Sequence, residues 1–316
     1  MGVTQATFVS FLEGPAASPD DVVFFSDIRA NRIYSLWPNQ ALTVFREPSG
    51  RANGNTFDLE GRLVTCEGGE HGANDGRRLV HTDLATGVVT ELASHFEGCR
   101  FNSPNDVTCD ELGRLFFTDP RYGDRSDLEL GVEGVYRLDP DGSLHLILDQ
   151  RAVERPNGLA ITPDTNELYV VDSNNAAGGN RKVWSFQLDR HGNTIGQRLV
   201  YDFAPGRGGD GMELDSEGTL YVCAGVNEPR SAGETNQNPA GVYLITPGGV
   251  LLDIIEIPQD VVTNCCFGGS DLRTLYVTAG HLLFTVGVTS PGYHAGAGAN
   301  TKPAPPLGQH EVTGLR

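Results

Sequence analysis

Six side-chain oxygens recur at matched places along this chain. They belong to Glu13, Asn53, Asn105, Asn157, Asp210 and Asn264. Each lies ten or eleven residues before the apolar residue that opens a strand: Val23, Leu63, Leu115, Leu168, Leu220 and Leu275. Carboxylate and amide oxygens are the donors that hard divalent cations such as Ca2+ take. Asn and Asp also favour turns before strands, so one copy carries little and the shared register of all six carries the argument. A period of about fifty residues, with several strands per unit, is the signature of a β-propeller. There the innermost strand of every blade lines a central channel, so equivalent positions form a ring around one axis.

The elements that must hold such a ring read as short β-strands. The third copy, Phe101 to Asp119, gives a polar turn, a short strand, a hairpin signal from Asp110 to Gly113 and a second strand over 114–118. The same grammar predicts further strands in every copy, but only three in the sixth, where the last falls at 282–286. A strand at 6–12 has no place in the first blade. It is expected to lie beside 282–286 as the outer strand of blade six, which would remove an exposed edge. The fold class expected is therefore all-β, a six-bladed propeller forming a single domain over 1–316. Residues 289–316, rich in Gly, Pro and Ala, read as an irregular arm or tail. Polar loops at 68–76, 119–130 and 172–180 and an insertion at 225–239 surround the ring. The first is rich in glycine, suits a pocket rim and carries His71, a candidate for facing substrate.

Composition narrows the partners. The chain has 316 residues with 40 Gly and 18 Pro, placed at turns between β-rich runs, and a net charge of −18. That charge disfavours nucleic acid and anionic membrane as partners. No run of eighteen apolar residues exists, so no transmembrane helix is expected. Residues 1–10 lack the basic and apolar regions of a secretory signal, and a cytoplasmic location is expected. Of the six cysteines, none forms a CxxC pair. Cys66, Cys109, Cys223, Cys265 and Cys266 fall in predicted strands and read as small buried hydrophobes. There is no GxGxxG in a strand-to-helix context, no Walker A loop, no GxSxG elbow and no HExxH. Chemistry is left to the ring.

The segments Glu13-Gly-Pro15, Asn102-Ser-Pro-Asn-Asp106, Thr118-Asp-Pro120, Arg155-Pro-Asn-Gly158 and Gly209-Asp-Gly-Met212 resemble the SMP-30/gluconolactonase/luciferin-regenerating-enzyme family. The resemblance covers roughly Phe11 to Thr285. It implies a six-bladed propeller with one divalent metal in the channel, usually Ca2+, with Zn2+, Mn2+ and Mg2+ as alternatives. It implies Glu13, Asn105, Asn157 and Asp210 as metal ligands, with Asp210 also the catalytic base. Asn53 and Asn264 match no ligand of the family and are expected to face substrate or water. Animal gluconolactonases carry an arginine two residues before the Asn matching Asn105. Ser103 stands there, in a form that resembles bacterial members. Ser103, Arg121 and Tyr122 join Asn53 and His71 as expected substrate contacts.

The expected reaction is metal-assisted hydrolysis of a small-molecule lactone: a Lewis acid draws charge from the carbonyl while Asp210 takes the proton of the attacking water. Two other readings stay open. One is a phosphotriesterase of the diisopropylfluorophosphatase type, and the other is a propeller serving only as a binding scaffold. The sequence leaves the oligomeric state open.

Overall fold

Each repeat folds as an antiparallel meander because its strands are short and are joined by tight polar turns. The turn from Asp110 to Gly113 is representative. Asp110 Oδ1 accepts the backbone N–H of Leu112 and of Arg114, both at 2.9 Å, and Gly113 takes the left-handed φ of 76° that the turn demands. Asp58 and Asp215 stand at the same place in blades two and five and accept from Arg62 and Thr219 at 2.9 and 2.8 Å.

The computed structural model describes residues 10–69, 76–229 and 234–295. Six antiparallel sheets stand around one axis. Five have four strands each, and the sixth has three among the described residues. A short hairpin, His95–Phe96 with Cys99–Arg100, leads into blade three. The inner strands are Leu12–Ala17, Ala52–Phe57, Val107–Cys109, Pro156–Ile161, Gly209–Leu214 and Val262–Gly268. Consecutive inner strands are neighbours, and the first touches the last, so the ring closes.

The expected closing strand is corrected here. Leu12 begins the inner strand of blade one, and residues 10 and 11 lie in no strand. The rest of that segment, 6–9, lies outside the described residues. Among the described residues the ring closes through side-by-side packing of blades one and six. Thr263 Oγ1 donates to the Leu12 carbonyl at 2.8 Å, and Leu12 N to the Gly280 carbonyl at 2.8 Å.

Hydrophobic cores fill the gaps between blades. Val64, Cys66, Phe101, Phe117 and Tyr136 pack blade two against blade three, with Phe117 and Tyr136 stacked at 5.3 Å. Truncating Phe117 to Ala would cost about 3–5 kcal/mol. All six cysteines are free, and the five expected to be buried are buried.

The described part of the C-terminal arm crosses one end of the channel. Ser216 N donates to the Pro291 carbonyl at 2.8 Å, Gly292 N to Leu272 at 2.8 Å and Tyr293 N to Leu214 at 3.0 Å. It encloses a chamber of ≈ 30 Å³ lined by Thr56, Thr108, Glu213 and His294. Residues 296–316 lie outside the described residues. No helix among the described residues is long and apolar enough to cross a membrane.

Candidate functional site

Two local devices aim the ring side chains. The first is a break in strand register. The pairing of inner with second strand slips between Glu13 and Ala16, Ala52 and Asn55, Pro156 and Leu159, and Gly209 and Met212. Glu13, Asn53, Asn157 and Asp210 sit in these slips, where a strand bends and turns a side chain off the sheet. The residue after the ring position is often glycine, because the next blade's inner strand comes too close for a side chain. A Cβ on Gly211 would collide with the Asn264 side chain, and one on Gly158 with the Asp210 carbonyl.

The second device is a carboxylate ending the second strand. Asp119 accepts the backbone N–H of Asn102 at 2.8 Å and of Ser103 at 2.7 Å. Asp172 accepts those of Glu154 at 3.1 Å and Arg155 at 3.0 Å. Asp27 accepts the Ser10 hydroxyl at 2.9 Å and Phe11 N at 3.2 Å. In each case the clamped residues are the third and second before a ring residue: Asn105, Asn157 and Glu13. All three carboxylates are buried. Burial pushes Asp119 up to about 7 and raises Asp172, against the pull of the amides they accept from.

Glu13, Asn53, Asn105, Asn157 and Asp210, drawn from five blades, line one cavity of ≈ 290 Å³. Both carboxylates are nearly sealed from solvent, Glu13 at 5% and Asp210 at 8% exposure. Glu13 is held well above the usual carboxylate range by burial, then by the charges of Asp210 and Asp106. Asp106 is itself pushed up to about 7, chiefly by burial. Against these three acids stands Arg207, whose Nη2 lies 3.0 Å from Asp210 Oδ2 and whose Nε lies 3.9 Å from Glu234. The cluster is short of positive charge at low dielectric, which is where a bound cation is stabilised most. Asn157 Nδ2 donates to the Tyr122 hydroxyl at 3.0 Å, which leaves its Oδ1 as an acceptor. The donor set is therefore oxygen throughout and fits a hard divalent ion. Among the described residues no group of three or more His, Cys, Asp or Glu is placed to hold a metal, so any cation here must take amide oxygens too.

The structure sorts the other expected site residues. Ser103 and Tyr122 line the cavity. Ser103 Oγ accepts Gly69 N at 3.3 Å, and the Arg155 guanidinium lies over the Tyr122 ring at 5.4 Å. Arg121 does not reach the cavity. It is 2% exposed, and its guanidinium is spent on the Asn102 carbonyl at 2.6 Å, the Asp124 carbonyl at 2.5 Å and Asp127. It braces the loop. Asn264 is not among the residues that line the cavity. Its Nδ2 meets Asp106 Oδ2 at 3.4 Å and its Oδ1 accepts Cys265 N at 2.8 Å. His71 lies outside the described residues.

Sequence reasoning missed Arg207, Arg51 and Asn175, which also line the cavity. Asn175 Oδ1 accepts Gly208 N at 3.0 Å and steadies the approach to Asp210. It also missed the clamps, although the repeated acid ending the second strand, Asp27, Asp119 and Asp172, was a signal in plain view.

Comparison with known proteins adds independent findings. The profile of the SMP-30/gluconolactonase/LRE-like region matches residues 11–281. A gluconolactonase of Zymomonas mobilis is 32% identical, over 87% of this chain and 78% of its own length. A 6-deoxy-6-sulfogluconolactonase of Pseudomonas putida is 28% identical, over 82% of this chain and 79% of its own. The solved structure of a gluconolactonase from Xanthomonas campestris superposes with a TM-score of 0.74 at 29% identity, covering 90% of this chain and 87% of that one.

Proposed function

Because the chain belongs to the SMP-30/gluconolactonase/LRE-like family, we propose that it is a lactonase, a carboxylic ester hydrolase that opens the ring of a sugar or related lactone with the help of one divalent cation. The observation that carries this reading is the convergence of two buried carboxylates, Glu13 and Asp210, with the amides of Asn105 and Asn157 at a single cavity. Ca2+ suits a set of two charges among neutral oxygens, with no His or Cys.

Glu13, Asn105, Asn157 and Asp210 would hold the ion. When bound, it supplies Lewis-acid polarisation of the lactone carbonyl and stabilises the negative charge that develops on its oxygen. The remaining work falls to the chain. Asp210 takes a proton from the attacking water, whose oxygen bonds to the carbonyl carbon as the ring C–O bond breaks. The same proton then serves the departing ring oxygen, and the product is a hydroxy acid. Arg207 keeps Asp210 oriented through their 3.0 Å contact. Its Nη1 is buried and makes no hydrogen bond among the described residues. Tyr122, braced by Arg155, fixes the Asn157 amide. Six free cysteines suit a reducing compartment, and we place the enzyme in the cytoplasm.

The test is a pH-stat screen of sugar and aliphatic lactones on chelator-stripped protein, with and without Ca2+, Mn2+ and Zn2+, and an organophosphate fluoridate run in parallel. Acid release from a lactone, dependent on added metal, is the expected result. Turnover of the fluoridate alone would assign the site to phosphoester chemistry, and identical metal-free and metal-loaded behaviour with no turnover would leave a binding scaffold.

A further inference from the structure

Arg51 is a cation fixed at the cavity wall that the reaction above does not use. It stands two residues before Asn53, at the entry to blade two, and lines the cavity. In a ring of six blades, blade two faces blade five, so Arg51 and Asp210 lie on opposite sides of the axis. Its backbone is strained and pinned. Arg51 has a φ of 59°, a left-handed conformation that a residue with a long side chain seldom takes. Asn31 Oδ1 holds it there, accepting Arg51 N at 2.8 Å and Ser49 N at 3.1 Å. The guanidinium is anchored as well. Its Nη1 donates to the carbonyls of Ile28 at 3.1 Å and Arg29 at 2.9 Å.

What Arg51 lacks is an acid. Arg46, Arg62, Arg77, Arg78, Arg114 and Arg121 each meet a carboxylate, as expected in a chain of net charge −18. Among the described residues Arg51 pairs with none, and its Nε and Nη2 make no hydrogen bond. Arg29, exposed, lines the same wall. Arg207, the third arginine of the cavity, is committed to Asp210 and Glu234. A strained residue whose planar fork meets no acid among the described residues and is held beside a cavity suits an anion that arrives from outside.

We propose that the lactone this cavity accepts carries an anionic substituent, a carboxylate, sulfonate or phosphate, at the end remote from the ring ester, and that Arg51, with Arg29 beside it, docks that anion. The assignment rests on the lactonase reading. With the ester at the axis near Asp210, the far end of the substrate reaches toward blades one and two, where these two cations stand. The anion takes no part in bond making. It adds binding energy and orientation, and so sets specificity.

The experiment measures kcat/KM for matched lactones that differ only at the remote carbon: hydroxyl, carboxylate, sulfonate and phosphate. In the wild type the anionic members are preferred. Arg51→Gln lowers the anionic-to-neutral ratio at least about tenfold, the scale of one lost charge-assisted bidentate contact, whereas Arg51→Lys keeps most of it. Which of the three anions responds most identifies the headgroup. Should Arg51→Gln fold poorly, ionic strength gives the same information in the wild type. Raising salt from about 0.02 to 0.5 M then weakens the anionic substrates several-fold more than the neutral one. A preference for the neutral lactone, or a ratio that neither Arg51→Gln nor salt alters, overturns the proposal while leaving the lactonase standing. Failure of the wild type to open any of the four removes the lactonase reading, and this assignment with it.

Discussion

Blades three and six start from nearly the same text and end with different duties. Blade three has Asn105-Asp106 at the axis and Thr118-Asp119 ending its second strand; blade six has Asn264-Cys265 and Thr278-Ala279. In blade three Asp119 grips the two amides ahead of the ring residue, and Asn105 lines the cavity. In blade six an alanine stands where that acid would be. Thr263 fills the role differently, its Oγ1 within 2.8 Å of both Thr278 Oγ1 and the Leu12 carbonyl. Asn264 reaches across the axis to Asp106, the residue after its counterpart Asn105 in blade three. The repeat therefore supplies an oxygen in every blade, and the clamp is one way of presenting it to the cavity, which Asn53 of blade two lines without one. Blades one, three and four have the clamp. Blade five reaches the same end with Arg207 holding Asp210 directly.

The largest effect that would break this division is chemical. Asp210→Asn keeps an oxygen and the shape of the site but removes the proposed base. At saturating metal, turnover should fall by about two to four orders of magnitude. Near-full recovery on adding metal would reduce Asp210 to a ligand and leave Glu13 as the candidate base.

The clamp itself comes next. Asp119→Ala leaves two buried amides without acceptors and should cost about 2–4 kcal/mol of stability, read as a shift in urea midpoint. Metal affinity should fall with it, because Asn105 is no longer held. A loss of stability with unchanged metal affinity would show that the clamp serves the fold alone.

A smaller contrast separates ring residues from each other. Asn157→Ala removes a neutral donor, so its activity should be low at limiting metal and largely restored by excess. Asn264→Ala should leave the metal-activation curve where it was, since that side chain is turned to Asp106. Equal metal dependence in the two variants would put Asn264 back among the ligands.

The last contrast is one of pH and belongs to the far end of the channel. Burial, aided by the Asp106 charge, pushes Glu213 up to about 8. The folded protein thus holds this proton more tightly than the unfolded chain, where a glutamate titrates near about 4.3. Ionisation of Glu213 therefore erodes stability as pH rises between those two values. Glu213→Gln should match the wild type in stability near pH 4, gain on it through neutrality and level off above pH of about 8. A gain independent of pH would mean that packing, not charge, is being relieved.

The spacing of oxygens before each second strand was enough to read the blades, the ring and five of the cavity's lining residues. Such positions are local: a turn, a bulge and a strand lie within a dozen residues, and sequence reports them directly. What escaped depends on contacts that skip between elements. Arg121 looked like a rim residue because it adjoins Tyr122, yet the Asn102 and Asp124 carbonyls and Asp127 pull it inward. Arg207 and Arg51 were invisible because nothing in their neighbourhood of sequence tells an arginine on a cavity wall from one on the outer surface. Asn264 kept the ring position and lost the ring's role, because the residue that decides its direction, Asp106, is 158 positions away.

The join between blades one and six has a consequence for how the protein comes into being. The Leu12 carbonyl and the Thr263 hydroxyl that meet there are 251 positions apart in the chain. A ribosome adding about 5–20 residues per second takes tens of seconds to make the second after the first. Leu12 leaves the exit tunnel early and waits for its partner in blade six until most of the polypeptide has followed. Long-range closure of this kind is slow to form. A stalled or prematurely ended message yields blades without a ring, so closure of the ring marks a polypeptide made through its sixth blade.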